Sequence, residues 1–392
     1  MGFEHYFGDD MKTILLSIAT GQNLANLIPA LQIQPDEVWI LATGKMKADA
    51  DRLKRLLKQN QRPSRVIDFD DSDLITLERE SEKFAEELDG NCVIFNATGG
   101  TKQMVLILAE SLRSWLETNE QSDAFKILYA DTAHQRIDWL YPEKRSEPMK
   151  DLLSLEDIVG IQGFQLRNIS SRQEAWIEQV DARSALTRAL ADKVEPLSGF
   201  LGALNGLVQQ AMSGKDGFNP RQEFDYRPGR GPAEILKKAA DCGLLTWDGN
   251  LAIRFADEDA ARYLGGIWLE EFAFLKLRGC KAKDFVTNPI LLAADGQTKN
   301  EMDALVVHRN RLLAIECKTA RFGRDGGKDA DIMYKLDSLS QRAGGLMHER
   351  WLLSARPLDE ASLARAKNMK IHVIAGREIR DFHKQVMAWI NQ

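Results

Sequence analysis

A chain of 392 residues, 44% of them hydrophobic, has material for two or three domains, and its formal net charge of −6 excludes a wholly basic coat for nucleic acid while leaving room for a local basic groove. The four cysteines, Cys92, Cys242, Cys280 and Cys317, are far apart and form no CxxC pair, which disfavours a structural zinc or a disulfide framework and suits a reducing cytoplasm. No apolar run approaches a membrane span, and the first ten residues, "MGFEHYFGDD", are acidic where a secretory signal is basic, so residues 1–10 read as a leader and no membrane association is expected.

From residue 11 the pattern alternates. "TILLSIA" (13–19), "EVWILAT" (37–43), "RVIDFD" (65–70), "CVIFNAT" (92–98) and "FKILYADT" (125–132) read as strands, and "RIDWLYP" closes the set. Between them "NLANLIPALQ", "KADADRLKRLLKQN", "DLITLERESEKFAEELDG" and "KQMVLILAESLRSWLET" have helical spacing. Strands alternating with helices predict an α/β domain over residues 11–150 with a parallel, doubly wound sheet, whose ligands sit outside the carboxyl ends of the strands.

At such an end lies "FNATGGTKQM" (95–104), which leaves a strand and opens a helix. Glycines let backbone N–H groups turn toward an anion, and a helix N-terminus favours negative charge. Thr98, Thr101 and Lys102 would add side-chain contacts. The spacing matches neither GxxxxGK[ST] nor GxGxxG, and a plain tight turn is the structural alternative. "ATGQN" (19–23) is expected at the same edge, with "ADT" (130–132) flanking it.

Residues 151–256 read as a helical connector. "EPLSGFLGALNGLVQQAM" is expected to be helical, and "GKDGFNPRQEFDYRPGRGP" to be a loop bearing Arg221, Arg227 and Arg230. "AEILKKAADCGLLTWDGNLAIRF" predicts a helix followed by a small hairpin, which fits a winged-helix-like module or a simple linker. From 257 to 392 the chain returns to α/β: a helix through "DAARYLGGIWLEEFAFLKL", strands at "NEMDALVV" and "RLLAIECKT", a helix at "KLDSLSQRAGG", strands at "RWLLSA" and "KIHVIA", and a C-terminal helix.

"MDALVVHRNRLLAIECKTA" (302–320) is the informative stretch. A two-residue turn at Arg309-Asn310 pairs His308 with Arg311, Val307 with Leu312, Leu305 with Ala314 and Asp303 with Glu316. Asp303, Glu316 and Lys318 then share one face. Both faces are apolar, so the hairpin is expected to be buried on both sides. Opposed carboxylates with Cβ atoms about 5 Å apart repel, and burial adds a large penalty. A magnesium or manganese ion between them would remove both costs. An ion cluster with Lys318 and nearby arginines is the structural alternative.

Asp303, a spacer, then Glu316-Cys317-Lys318 resembles the D…(D/E)xK core of the PD-(D/E)xK nuclease superfamily. "GGIWLEEF" supplies the helix acid that precedes it there, Glu270 or Glu271. Only one of two helical neighbours can face inward, and Glu270 is the favoured choice. The resemblance implies that Asp303 and Glu316 hold the metal with the Cys317 backbone carbonyl, that Glu270 completes the set, and that Lys318 orients or activates water. Lys335 and Gln341 on the following helix, and Arg321, Arg324 and Lys328 after the active strand, are secondary candidates for contact with a nucleic-acid substrate.

The glycine stretch and first loop resemble the CARF domain, the CRISPR-associated Rossmann-like sensor of cyclic oligoadenylates. With the C-terminal motif, nearly the whole chain is similar to the Can2/Card1 group of type III CRISPR accessory nucleases. The resemblance implies a cytoplasmic homodimer that binds cyclic tetra-adenylate across its CARF interface and then cleaves or nicks DNA or RNA with Mn2+ or Mg2+. It assigns ligand contacts to Ser17, Thr20, Gln22, Asn23, Asn96, Thr98, Gly99, Gly100, Thr101 and Lys102. Three other outputs are weighed. One is a CARF-gated, DNA-binding transcriptional regulator with a non-catalytic nuclease-like domain. Another is a HEPN ribonuclease, for which Arg342…His348 and Arg377…His383 have the R-x4-6-H spacing. The third is cleavage of cyclic oligoadenylate by the CARF pocket itself.

Overall fold

The computed structural model describes residues 11–119, 124–214, 217–320, 326–345 and 347–392. The leader expected at residues 1–10 lies outside them. Two compact units are present, one reaching Phe164 and including Ala343–Met347, the other comprising Gln165–Arg342 and His348–Gln392.

In the first unit β1 (Thr13–Ile18), α1 (Leu24–Ile33), β2 (Glu37–Ala42), α2 (Lys47–Gln59), β3 (Ser64–Asp68), α3 (Leu74–Glu87), β4 (Cys92–Asn96), α4 (Lys102–Thr118) and β5 (Phe125–Asp131) alternate as the sequence pattern predicts. β6 (Arg136–Tyr141) and β7 (Arg145–Pro148) follow, then α5 (Leu155–Ile161). The sheet order is β3-β2-β1-β4-β5-β6-β7, parallel from β3 to β5 and antiparallel beyond. Its strand order reverses between β1 and β4, so the loops after these two strands flank the crevice where doubly wound sheets bind ligands. Ile14, Leu16, Val93, Phe95, Leu108 and Leu112 are among the residues that bury one face of this sheet against α3 and α4.

The second unit opens with β8 (Phe164–Arg167), α6 (Glu174–Asp192) and α7 (Ser198–Met212). Next come β9 (Arg221–Glu223), α8 (Arg230–Asp241), β10 (Leu245–Trp247) and β11 (Ala252–Phe255), the strands forming a small antiparallel sheet in the order β10-β11-β9. This is the expected helix followed by a β wing. A run expected as one helix is interrupted: α9 (Glu258–Arg262), a π-type turn over Tyr263–Ile267, then α10 (Trp268–Leu277). β12 (Asp284–Thr287), β13 (Ile290–Ala293) and β14 (Lys299–Glu301) lead to β15 (Ala304–His308) and β16 (Arg311–Lys318). α11 (Gly326–Gly344), β17 (His348–Ser354), α12 (Glu360–Asn368), β18 (His372–Ala375) and α13 (Phe382–Ile390) complete the chain.

The main sheet here runs β12-β15-β16-β17-β18, antiparallel up to β16 and parallel after it. "NEMDALVV" is two strands rather than one, because β14 pairs with β13 while β15 pairs with β12 and β16. Asp303 sits at the bend between them. One core joins α6, α7 and α8 to this sheet, through Leu186, Leu204, Leu236, Trp268, Leu313 and Trp389 among others.

The β15–β16 hairpin has the register expected from sequence, from Ala304 opposite Ile315 to His308 opposite Arg311. Arg309 and Asn310 take φ of 49° and 58°, the left-handed pair a two-residue turn of matching twist requires. Leu305, Val306, Leu313 and Ala314 have no exposed surface, so the hairpin is buried on both faces. Arg309 is exposed, so a branched side chain there meets only the backbone penalty. Arg309→Val is expected to cost about 1–2 kcal/mol, read as a lower urea midpoint with unchanged slope, whereas Arg309→Gly is expected to cost less.

Candidate active site and ligand-binding loops

The buried hairpin carries the three charges into the second unit. Asp303 Oδ2 accepts a hydrogen bond from the Cys317 backbone N–H at 2.6 Å. Lys318 Nζ lies 2.8 Å from Glu316 Oε1. Glu316 is 2% exposed, and its second oxygen, Oε2, is buried without a hydrogen-bond partner. A buried carboxylate oxygen left open is costly unless something cationic or hydrogen-donating reaches it.

α10 brings the helix acids, and the structure separates them. Glu271 has no exposed surface and is gripped by Arg183 of α6, whose Nε lies 3.1 and 3.0 Å from its two oxygens. The Arg183 guanidinium also lies 4.1 Å over the Tyr263 ring, and Tyr263 in turn meets Thr187 Oγ1 at 2.8 Å. With Glu271 committed to α6, its neighbour is turned about 100° away. Glu270 Oε2 accepts from Asn288 Nδ2 at 2.5 Å, and the Glu270 carboxyl feels Lys318, Glu301 and Glu316.

The π turn before α10 fits against the end of the active strand. Thr319, next to Lys318, donates its hydroxyl to the Gly265 carbonyl at 3.2 Å. A Cβ on Gly266 would lie 2.8 Å from the Thr319 hydroxyl oxygen, so only glycine permits this approach.

Charge crowding governs the titration of the set. Burial, then Glu316 and Glu270, pushes the Asp303 carboxyl well above the ordinary range. Burial lifts Glu270 to about 6, against the Asn288 hydrogen bond and Lys318. Burial works to lower the Lys318 ammonium, but Glu316 and Asp303 more than offset it and hold it above the usual lysine value. Burial pushes the Cys317 thiol well up, so it stays protonated, and only its backbone carbonyl is suited to a hard ion.

Among the described residues no three His, Cys, Asp or Glu side chains converge as a ready-made metal cage. Magnesium-type sites seldom need one, since they use one or two carboxylates with waters and substrate phosphate completing the shell. The open Glu316 Oε2 and the repelled Asp303 are hard oxygen donors of the kind such an ion satisfies.

In the first unit Ser17 of β1 pairs in register with Asn96 of β4, which aligns the two candidate loops. Asn96 is fully buried. Its Nδ2 donates to the Ala25 carbonyl and to Asn26 Oδ1, both at 3.0 Å, and its Oδ1 accepts from the Thr98 N–H and hydroxyl. Asn26 donates to the Ile18 carbonyl and to Asn23 Oδ1, which also accepts from the Thr20 N–H. Ser17, Asn23 and Asn96 thus lie beneath the loops, whereas Gly100, Thr101 and Lys102 are exposed and Thr20, Gln22 and Thr98 half-buried. Thr101 caps α4 through Met104 N at 3.2 Å. A Cβ on Gly99 would meet the Ile18 carbonyl oxygen at 2.2 Å, and Gly100 has φ of 85°, so both glycines are required by the close strand-end packing itself.

Of the secondary candidates, Arg221, Arg227, Arg230, Lys335 and Gln341 are exposed. Arg321, Arg324 and the side chain of Lys328 lie outside the described residues. Neither R-x4-6-H pair occupies one α-helix. Arg342 is in α11 and His348 in β17, while Arg377 lies in a 3-10 segment and His383 in α13.

With this geometry in place, comparison with known proteins is decisive. Residues 14–158 match the family model of the Card1 CARF domain, and residues 257–392 match that of the Card1-like endonuclease domain. The chain belongs to the Card1-like CARF endonucleases. Solved structures of similar fold include protein VC1899 from Vibrio cholerae, 21% identical, covering 97% of this chain and 98% of that one with a TM-score of 0.80. Can2 from Sulfobacillus thermosulfidooxidans, solved in complex with cyclic tetra-adenylate, is 24% identical over 97% of this chain and 100% of its own, with a TM-score of 0.76. A type III CRISPR defence DNA nuclease activated by cyclic oligoadenylate is 15% identical over 92% of this chain and 48% of its own, with a TM-score of 0.50. At these identities the likeness establishes the fold. No curated protein matches the sequence.

Sequence reasoning about this Card1-like chain missed Asn26, Arg183 and Asn288. Asn26 falls inside a helical period, and Arg183 lies 88 residues from its partner. "TNP" at 287–289 was a visible turn signal, but nothing in it pointed to Glu270.

Two outcomes follow. Arg183→Leu strands the buried Glu271 and is expected to cost about 3–5 kcal/mol in chemical denaturation, with the double change Arg183→Met, Glu271→Leu recovering most of it. In chelator, the raised Glu270 means that the folded chain holds a proton which the unfolded chain releases near pH 4.5. Its contribution is therefore fully present below that pH and is lost as pH rises through about 6. Glu270→Gln is expected to remove that decline, on the order of 1–2 kcal/mol, in unfolding measured from pH 4 to 8.

Proposed function

We propose that this Card1-like endonuclease is a metal-dependent phosphodiesterase, switched on by cyclic tetra-adenylate at its CARF domain in type III CRISPR defence. The observation that carries the reading is the buried Oε2 of Glu316, without a hydrogen-bond partner, on a carboxylate that crowds Asp303 and lies beside Lys318.

In this reading Asp303 and Glu316, with the Cys317 carbonyl, hold a Mg2+ or Mn2+ ion, and Glu270 completes the set. When bound, that ion supplies Lewis acidity at the scissile phosphate and an acidified water. Lys318 stays charged because its carboxylate neighbours hold its proton. It therefore orients the attacking water and offsets negative charge building on the phosphate oxygens. The buried apolar walls of the hairpin keep the local dielectric low and strengthen both effects.

The CARF loops supply the switch. Lys102 and Thr101 at the start of α4, with Gly100, form the exposed part of the anion-binding edge, and the half-buried Thr98, Thr20 and Gln22 border it. The buried Asn23-Asn26-Asn96 network fixes the loops from below. A cyclic ligand of two-fold symmetry fits an isologous homodimer interface, touching both copies. It activates only by binding the active arrangement more tightly. Among the described residues no helix is long and apolar enough to cross a membrane. The domain boundaries in this reading are 11–150 for the sensor, 151–256 for the connector and 257–392 for the endonuclease.

The helix followed by a β wing at α8–β11 favours one second reading, a ligand-gated DNA-binding regulator. The two separate on one experiment. Purified protein is given labelled RNA, single-stranded DNA and supercoiled plasmid with Mg2+ or Mn2+, with and without cyclic tetra-adenylate. Cleavage is expected only with metal and activator. Glu316→Ala is expected to lower it by about 100-fold or more while leaving activator binding intact, and Lys102→Ala to weaken activator binding. Unchanged cleavage by Glu316→Ala would sink the assignment.

A further inference from the structure

Asn288 sits in the short turn between β12 and β13, with φ of 51°. Its backbone N–H donates to the Asp303 carbonyl at 3.0 Å, and its side-chain Nδ2 donates to Glu270 Oε2 at 2.5 Å. One residue thus holds the strand acid through its main chain and the helix acid through its side chain. Its remaining polar atom, Oδ1, is buried with no hydrogen-bond partner. A left-handed turn explains an asparagine, but not an amide spent on Glu270 with its oxygen left open. In the ionised set that a metal would bind, the acids nearby only accept, and Lys318 reaches Glu316 rather than Asn288. A water bound among the acids is the donor that fits.

We propose that Asn288 is a positioning residue of the endonuclease site. It sets the Glu270 carboxylate against Asp303 and anchors, through Oδ1, a water in the outer shell of the bound metal. Asn288 acts through Glu270 and that water and does not touch the phosphate. This rests on the metal-dependent reading above. Partners that orient metal-binding side chains in this way typically change metal affinity by about 10–100-fold when removed.

The test is Mn2+ binding by titration calorimetry on the full chain, alongside thermal unfolding in chelator. Asn288→Gly keeps the left-handed turn and removes only the side chain. It is expected to unfold near the wild-type temperature yet bind Mn2+ about 10–100-fold more weakly. Because one of its two roles runs through Glu270, Asn288→Gly added to Glu270→Gln is expected to weaken binding by clearly less than the sum of the two single changes. Should Asn288→Gly unfold, Asn288→Ser, a residue turns accept, is expected to show the same loss. Wild-type Mn2+ affinity in a folded variant overturns the proposal, as does full additivity with Glu270→Gln. Glu316→Ala is the control for the site itself. If the wild type shows no Mn2+ uptake that Glu316→Ala removes, the metal reading falls and the role of Asn288 falls with it.

Discussion

Two carboxylates forced together on a hairpin buried on both faces are the constraint on which the second unit depends. The register that the Arg309-Asn310 turn and the apolar alternation both enforce ends with Ala304 opposite Ile315, and it leaves Asp303 and Glu316 as the next residues along the two segments, close enough to repel. Slipping the register by one residue would put the charges on the other face and break the core contacts of Ala304, Val306, Leu313 and Ile315. The fold therefore cannot relieve the repulsion by moving the strands. It can only surround the pair with compensation, and Lys318, the Cys317 N–H and the bend at Asp303 each provide part of it.

The helix acid shows how two neighbouring residues of one kind take opposite roles. Glu271 is neutralised by a two-oxygen grip from Arg183, backed by Tyr263 and Thr187. That ion pair fixes the rotation of α10, and the rotation sends Glu270 the other way, into a cluster where burial keeps its carboxyl near 6. The same logic holds in the first unit. Asn23, Asn26 and Asn96 are placed to hold the shape of two loops, and Gly100, Thr101 and Lys102 are left exposed above them.

Much of this was legible in the sequence. The alternating strands and helices of the first unit, the Gly99-Gly100 turn at a strand end and the hairpin register all follow from local periodicity and turn chemistry. These are properties of residues close together in the chain. What was not legible is long-range. The short strands β12 and β13 lack a clear period, and the break at Asp303 comes from a change of partner strand. Arg183 and Asn288 acquire meaning only when distant elements meet. The π turn hides because "YLGGI" reads as a helix weakened by glycines, and its purpose, room for Thr319, lies 54 residues downstream.

The single core running from α6 to α13 has a consequence for modularity. Leu186, Leu204 and Leu236 fill the same interior as Trp268, Leu313 and Trp389, so catalysis cannot be transplanted by cutting the chain where the endonuclease motif begins. A graft starting at residue 257 would strip away the helices that cover Trp268 and would leave Glu271 without its arginine. Any portable cleavage module, natural or designed, has to bring the preceding helices along, and lineages exchanging sensors would be expected to swap ahead of α6 rather than behind it.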